Sequence, residues 1–201
     1  MSDAVRETRA TYDRIATAYA GRAGGPYPHL DPHVAWFAGA LPAAGRVADV
    51  GCGPGRDTRL LRAAGLRVAG FDLSAAQLRA GGLDGVAQAD MRALPIQSST
   101  MDGVWCQAAL LHLPRELAPA AVSEFARVTR ADGALLLTVA EGDFEGFQST
   151  EKYDDRDLRR WFTYHREPDL RALLTAAGYR VTDAHRHTSN RDWLTLYASR
   201  G

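Results

Sequence analysis

The chain has 201 residues, 24 basic against 24 acidic side chains, 46% apolar residues and two cysteines. A core of this size buries roughly 70% of the unfolded surface without splitting, which predicts one domain over residues 1–201. Zero net charge argues against a partner bound through its phosphates, and no apolar run approaches the ~20 residues of a membrane span, so no nucleic acid and no membrane are expected. Residues 1–20 are charged and polar where a signal peptide needs an apolar stretch, which predicts a cytoplasmic protein, monomer or homodimer. Cys52 and Cys106 lack metal-ligand spacing, which predicts reduced thiols and no metal.

Residues 3–20 read as an amphipathic helix, with Val5, Tyr12, Ile15, Ala16 and Tyr19 on one face. Residues 21–28 end it, and Asp31 with Pro32 predicts the N-cap and first position of a short helix carrying Trp36 and Phe37. Together residues 1–45 form a helical cap. From Arg46 onward, apolar runs at 47–50, 68–73, 86–89, 104–107 and 134–140 alternate with helical stretches at 57–64, 75–80 and 114–128, the rhythm of a parallel sheet covered on both faces. At the C-terminus a helix at 169–177 precedes strands at 179–185 and 193–199, whose short link can join only antiparallel neighbours. The expected fold is α/β: Rossmann-like, doubly wound, a mostly parallel seven-stranded sheet with one antiparallel strand near the C-terminus. Residues 141–165 fit no period and hold six of the seventeen aromatics, which predicts a lid over the site.

Chemistry concentrates in Asp49-Val-Gly-Cys-Gly-Pro-Gly-Arg56, a glycine-rich turn leaving a strand and entering a helix. Such a turn lets backbone N–H groups approach an anionic ligand group. Its G-x-G-x-G spacing departs from the dinucleotide fingerprint, and no Gly-Lys-Ser/Thr follows to make a P-loop. The next strand ends in Phe71-Asp-Leu-Ser74, where a carboxylate can accept both hydroxyls of a ribose, although Asp72 could instead merely cap the following helix. The third ends in Ala89-Asp-Met91, suited to the edge of an adenine.

These stretches resemble the class I S-adenosylmethionine-dependent methyltransferases, in particular the small-molecule group similar to the ubiquinone and menaquinone biosynthetic enzymes. The matching residues also include Tyr12-Asp-Arg-Ile-Ala16, Leu94-Pro95, Met101-Asp-Gly-Val104, Ala109-Leu-Leu-His-Leu113, Arg127-Val128 and Asp132-Gly133, so the resemblance covers nearly the whole chain. It implies that S-adenosylmethionine is the cofactor. Asp49 with Gly51, Cys52, Gly53 and Gly55 would hold its methionine part, Asp72 its ribose, and Leu73, Asp90 and Met91 its adenine. Cys106, Gln107 and Ala108 would run beside the sulfonium, while Tyr12 and Tyr19 close over it from the first helix. Gln77 departs from the methionine common there, and Ala131-Asp-Gly133 from the usual Pro-Gly-Gly turn.

The implied activity is direct in-line methyl transfer to an oxygen, nitrogen or carbon of a small-molecule acceptor. The alternative is a non-catalytic or regulatory S-adenosylmethionine-binding protein. An NAD-dependent oxidoreductase conflicts with the glycine spacing, and an amino-methylating nucleic-acid enzyme conflicts with Cys106-Gln-Ala-Ala109 after the fourth strand. Tyr27, Phe144, Phe147, Trp161 and Tyr164 are the expected acceptor contacts, because aromatics exclude water around a sulfonium. The other reading of Trp161, with Phe162, is that it pins the insertion to the core. His112 and His165 are the candidate bases for a protonated acceptor; His112 could equally orient its loop.

Overall fold

The computed structural model describes residues 2–23, 28–149 and 158–201. Seven strands form the main sheet: β1 (Arg46–Val50), β2 (Arg67–Asp72), β3 (Val86–Gln88), β4 (Met101–Gln107), β5 (Thr129–Ala140), β8 (Tyr179–Thr188) and β9 (Asp192–Arg200). Their order is β3-β2-β1-β4-β5-β9-β8, parallel from β3 to β5, with β9 antiparallel to both of its neighbours. The interior strands are continuous apolar runs because helices cover both faces. On one face Leu135, Leu137 and Phe125 pack with Leu170 and Leu174; on the other Val47, Trp105 and Leu136 pack with Phe37 and Leu61. The antiparallel strand lies one place in from the edge. The reason is in the composition: Leu194, Leu196 and Ala198 of β9 are buried, whereas β8 carries Arg180, Asp183, His185 and Arg186, exposed charge and polarity that suit an unpaired edge.

The helices differ little from expectation. Helix α1 (Asp3–Ala23) runs three residues further than its apolar pattern, and α2 (Asp31–Gly39) is capped by Leu30, with Asp31 inside its first turn. The misplaced cap has a physical cause, since residues 28–30 already form a 3-10 turn that leads straight into the helix. Helices α3 (Arg56–Ala63), α4 (Ala75–Gly81), α5 (Ala118–Val128) and α6 (Glu167–Ala176) complete the layers. No helix among the described residues is long and apolar enough to cross a membrane.

The insertion has regular structure. Strands β6 (Glu145–Ser149) and β7 (Arg159–Thr163) form a separate antiparallel pair. Its open edge is satisfied by α1: Thr8 Oγ1 accepts from the Trp161 N–H at 2.8 Å, and Thr11 Oγ1 donates to the Arg159 carbonyl at 2.7 Å. Buried Thr8 and Thr11 thus anchor the N-terminal helix to the hairpin, as a purely apolar stripe could not.

At the centre the sheet order reverses between β2-β1 and β4-β5, where open α/β sheets leave a crevice at the carboxyl ends of the strands. The turn after β1 is drawn tight there. The N–H groups of Gly51 and Cys52 both donate to the Phe71 carbonyl, at 2.7 and 3.1 Å. Gly51 has φ +75°, and a Cβ on it would sit 2.2 Å from the Ala109 Cβ. Gly51→Ala should therefore cost about 2–4 kcal/mol, combining left-handed strain and overpacking. Ala109→Gly in the same chain should recover the overpacking part and not the strain. Denaturant unfolding of the two variants and the parent checks this; equal stability of Gly51→Ala and the parent would contradict the geometry.

Candidate functional site

A cleft opens over this turn, with about 1080 Å³ of empty space including the solvent at its mouth. Its lining joins Gly51, Cys52 and Gly53 after β1, Asp72 and Leu73 after β2, Asp90 and Met91 after β3, and Gln107 and Ala108 after β4. Tyr12 and Tyr19 reach it from α1, their rings edge to face at 5.6 Å. Eleven of the fourteen residues expected to hold the cofactor therefore meet at one place.

Asp72 is oriented by two backbone donors, Gly53 N–H on one oxygen and Ser74 N–H on the other, both at 2.8 Å. Each oxygen keeps a lone pair for a further hydroxyl. Burial pushes this carboxyl upward, and the two backbone bonds work against the rise. The helix-capping role that Asp72 might have taken falls to Ser74, whose hydroxyl accepts from the Gln77 N–H. Asp90 is held by Arg92 through contacts of 2.9 and 2.5 Å, which lower its pKa.

Three expected cofactor residues lie beside the cleft instead of lining it. Asp49 is buried beneath the turn, accepts the Thr58 hydroxyl at 2.6 Å, and is pushed up in pKa by burial and by neighbouring Asp57. Gly55 closes the turn, its N–H bonded to the Cys52 carbonyl, at the N-terminus of α3. Cys106 points into the core, where burial raises its pKa to about 12. Both thiols are free and buried, at the ends of adjacent strands on one edge.

Asp57 and Gln77 are among the lining residues to which the sequence reading gave no role in the site. Asp57 receives the indole N–H of fully buried Trp105 at 3.0 Å and pairs with Arg56. Gln77 is buried and its amide donates to the Tyr12 carbonyl, while Asp13 accepts the Ser74 hydroxyl at 2.6 Å. These bonds hold α1 over the cleft; the signal was the Tyr12-Asp13 pair itself.

The two candidate bases are placed differently. His112 lines the cleft, but its Nδ1 lies 2.7 Å from the Trp161 carbonyl and its Nε2 lies 2.8 Å from the Tyr12 hydroxyl. A carbonyl only accepts, so Nδ1 carries the proton and Nε2 accepts from the tyrosine. Burial, and then the charge of Arg160, lower its pKa to about 3. His165 is buried outside the cleft lining, its pKa lowered to about 4 by burial, and its Nε2 has no partner among the described residues.

The expected acceptor contacts divide by strand alternation. Arg160, Phe162 and Tyr164 share one face of the hairpin strand, and Trp161 lies on the other, where its ring packs at 90° and 5.1 Å on its cross-strand partner Phe147. Trp161 and Phe147 therefore stabilise the hairpin. Phe144 is 41% exposed against Tyr164. Phe162, read only as a core anchor, packs its ring on that of cleft-lining His112, with 4.8 Å between ring centres. Tyr27 lies outside the described residues, as does Tyr153.

Residues 48–137 match the family described as a methyltransferase domain. Two malonyl-acyl-carrier-protein O-methyltransferases are similar to the chain. The one from Pseudescherichia vulneris is 33% identical over 157 residues, 75% of this chain and 61% of that protein; the one from Enterobacter lignolyticus (strain SCF1) is 37% identical over 102 residues, 49% and 40% respectively. The chain thus spans less than two thirds of the length of these relatives. In fold it resembles magnesium protoporphyrin IX methyltransferase from Synechocystis PCC 6803, solved with bound S-adenosylmethionine: TM-score 0.77, 23% identity, 100% of this chain and 99% of that one.

The buried histidines give a pH signature. His33, buried beside Tyr197, is lowered to about 4, like His165, and His112 to about 3, all from 6.5. Folded values below the unfolded one mean that the unfolded chain binds more protons between them, so stability is complete above pH 6.5 and falls as pH drops toward 4. At pH 5, replacing any one of the three by asparagine should remove about one proton from the uptake on unfolding. The slope of unfolding free energy against pH measures this; an unchanged slope would show that the histidine titrates normally.

Proposed function

We propose that this chain is a class I S-adenosylmethionine-dependent methyltransferase and transfers a methyl group to a small-molecule acceptor. The observation that supports it most is Asp72, a half-buried carboxylate aimed into the cleft by Gly53 and Ser74 with a lone pair open on each oxygen. A second is Gln107, whose side-chain oxygen is buried in the cleft with no partner among the described residues, an acceptor suited to an ammonium group. Gly53 adds bare backbone facing the same space: a Cβ there would meet only Tyr19, at 4.0 Å. The residues present fit S-adenosylmethionine.

When bound, the cofactor supplies a methyl group already activated on a sulfonium, so the protein's contribution is positioning and exclusion of water. Asp72 would hold the ribose hydroxyls, Gln107 the amino group, and Leu73 and Met91 the adenine. Tyr12 and Tyr19 close the cleft from above. His112 is a positioning residue: its tautomer locks the Tyr12 hydroxyl to the hairpin through Trp161, and with both nitrogens engaged it takes no proton from an acceptor. An acceptor atom that is already unprotonated at neutral pH suits such a site. Two buried, free thiols suit a reducing cytoplasm.

Calorimetry with S-adenosylhomocysteine should give a dissociation constant at least about tenfold weaker for Asp72→Ala than for the parent, as loss of two charge-assisted hydrogen bonds requires. Methyl-labelled S-adenosylmethionine mixed with a metabolite extract should label a small molecule with the parent protein. Equal binding by the variant would remove the ribose assignment. Cofactor binding with no labelled product from any extract would favour a non-catalytic binding protein.

A further inference from the structure

Beyond the end of the cleft formed by Tyr12, Ala108 and His112, above the carboxyl ends of β4 and β5, lies a cationic cluster that cofactor binding does not use. Arg191, in the turn between β8 and β9, sets its guanidinium carbon 4.3 Å from the centre of the Phe162 ring, 5.5 Å from Tyr164 and 5.6 Å from Trp193. Its Nε and Nη1 are buried and have no hydrogen-bond partner among the described residues. Arg160 lies 5.2 Å from the same Phe162 ring and donates to the Tyr12 hydroxyl at 2.8 Å. Other arginines of the chain are matched by carboxylates, as Arg127 is by Glu124 and Arg186 by Glu141 and Glu167. Arg191 has no such ion pair among the described residues. Burial foremost lowers its pKa and the like charge of Arg160 adds to this, while Tyr164, partly through a hydrogen bond, and Tyr12 work the other way; no carboxylate among the described residues answers the charge.

Buried donors are ordinarily satisfied, and two unsatisfied N–H groups on one guanidinium imply an acceptor that arrives from outside the chain. Nε and Nη1 lie on different sides of the guanidinium plane's edge, so a carboxylate meets either one singly or together with the neighbouring Nη2, as Arg92 grips Asp90 through Nε and Nη2. Phe162, Tyr164 and Trp193, with Ala108, Leu111 and Ala140 behind them, form an apolar surface around it. We propose that Arg191 anchors a carboxylate of the methyl acceptor, so that the acceptor is an organic anion with an aromatic or aliphatic body. This rests on the methyl-transfer reading only in placing the acceptor beside the cleft. Carboxylate oxygens carry open lone pairs at neutral pH, in keeping with a site whose histidine is engaged at both nitrogens. Arg160 adds a second positive charge, and the three rings exclude the water that would screen the pair.

Titration calorimetry on the full chain, with and without saturating S-adenosylhomocysteine, tests the assignment with benzoate, indole-3-acetate and octanoate, each against its primary amide, and with phenyl phosphate. At least one carboxylate should bind about tenfold or more tightly than its amide; Arg191→Met should abolish that preference, and Arg191→Lys should restore part of it, as charge without the planar donors would. The affinity for S-adenosylhomocysteine should stay within about twofold in both variants, which separates this site from the cofactor cleft. Binding of none of the three carboxylates, equal binding of acid and amide, a preference that survives in Arg191→Met, or tighter binding of phenyl phosphate would each overturn it. A chain that failed to bind S-adenosylhomocysteine would instead count against the methyl-transfer reading, while the ligand-free titration still decided the fate of Arg191.

Discussion

The site depends on one carboxylate that must remain oriented while largely removed from water. Asp72 ties the turn after β1 to the turn after β2, through Gly53 on one oxygen and Ser74 on the other. Burial raises the cost of its charge, and the two backbone N–H groups offset that cost only if both turns keep their shape. The Phe71 carbonyl secures the first turn by accepting from Gly51 and Cys52. Gly51 in turn requires the small Ala109 opposite it. Strand order, glycine spacing and the residue after β4 are thus coupled through a few hydrogen bonds at the switch point of the sheet.

The N-terminal helix is fastened to this centre by polar groups at three places. Asp13 and Gln77 join it to the start of α4, Thr8 and Thr11 to the open edge of β7, and Tyr12 to His112. A run of hydrogen bonds therefore passes from Arg160 to the Tyr12 hydroxyl, to His112 Nε2, and from Nδ1–H to the Trp161 carbonyl. Each donor in it meets a group that can accept, which sets the tautomer without any bound ligand. The hairpin and the helix consequently close on the cleft as a connected unit, with the imidazole as the joint between them.

The insertion shows how a two-residue period can carry two functions. One face of β7 holds Trp161 on Phe147 and stabilises the hairpin; the other turns Arg160 and Phe162 toward His112 and Arg191. A hairpin of two strands has little independent stability, so the side-chain bonds from α1 and the packing on Leu111 and Ala140 are what keep the second face in place.

What the sequence by itself determined is the part written in local pattern. Strands and helices alternate visibly because apolar runs must be buried on both faces, and the turns after β1, β2 and β3 carry Gly51, Gly53, Asp72, Asp90 and Met91 at positions that topology alone brings to one edge. Glycine spacing and an acid at a strand end are short-range signals. What only the tertiary structure decided depends on contacts distant in sequence: that Asp49 and Cys106 turn away from the cleft, that His112 is engaged by Tyr12 and Trp161, 100 and 49 residues away, and that Phe162 rather than Phe147 faces the site. The aromatic insertion hid its hairpin because a short strand pair stabilised from outside needs no alternating polarity of its own. Arg191 hid for a related reason, since nothing in a polar turn says that a guanidinium will be folded under three rings. Burial and partner choice are properties of the assembled chain, and the pKa of a histidine or the need of an arginine for an anion follows from them.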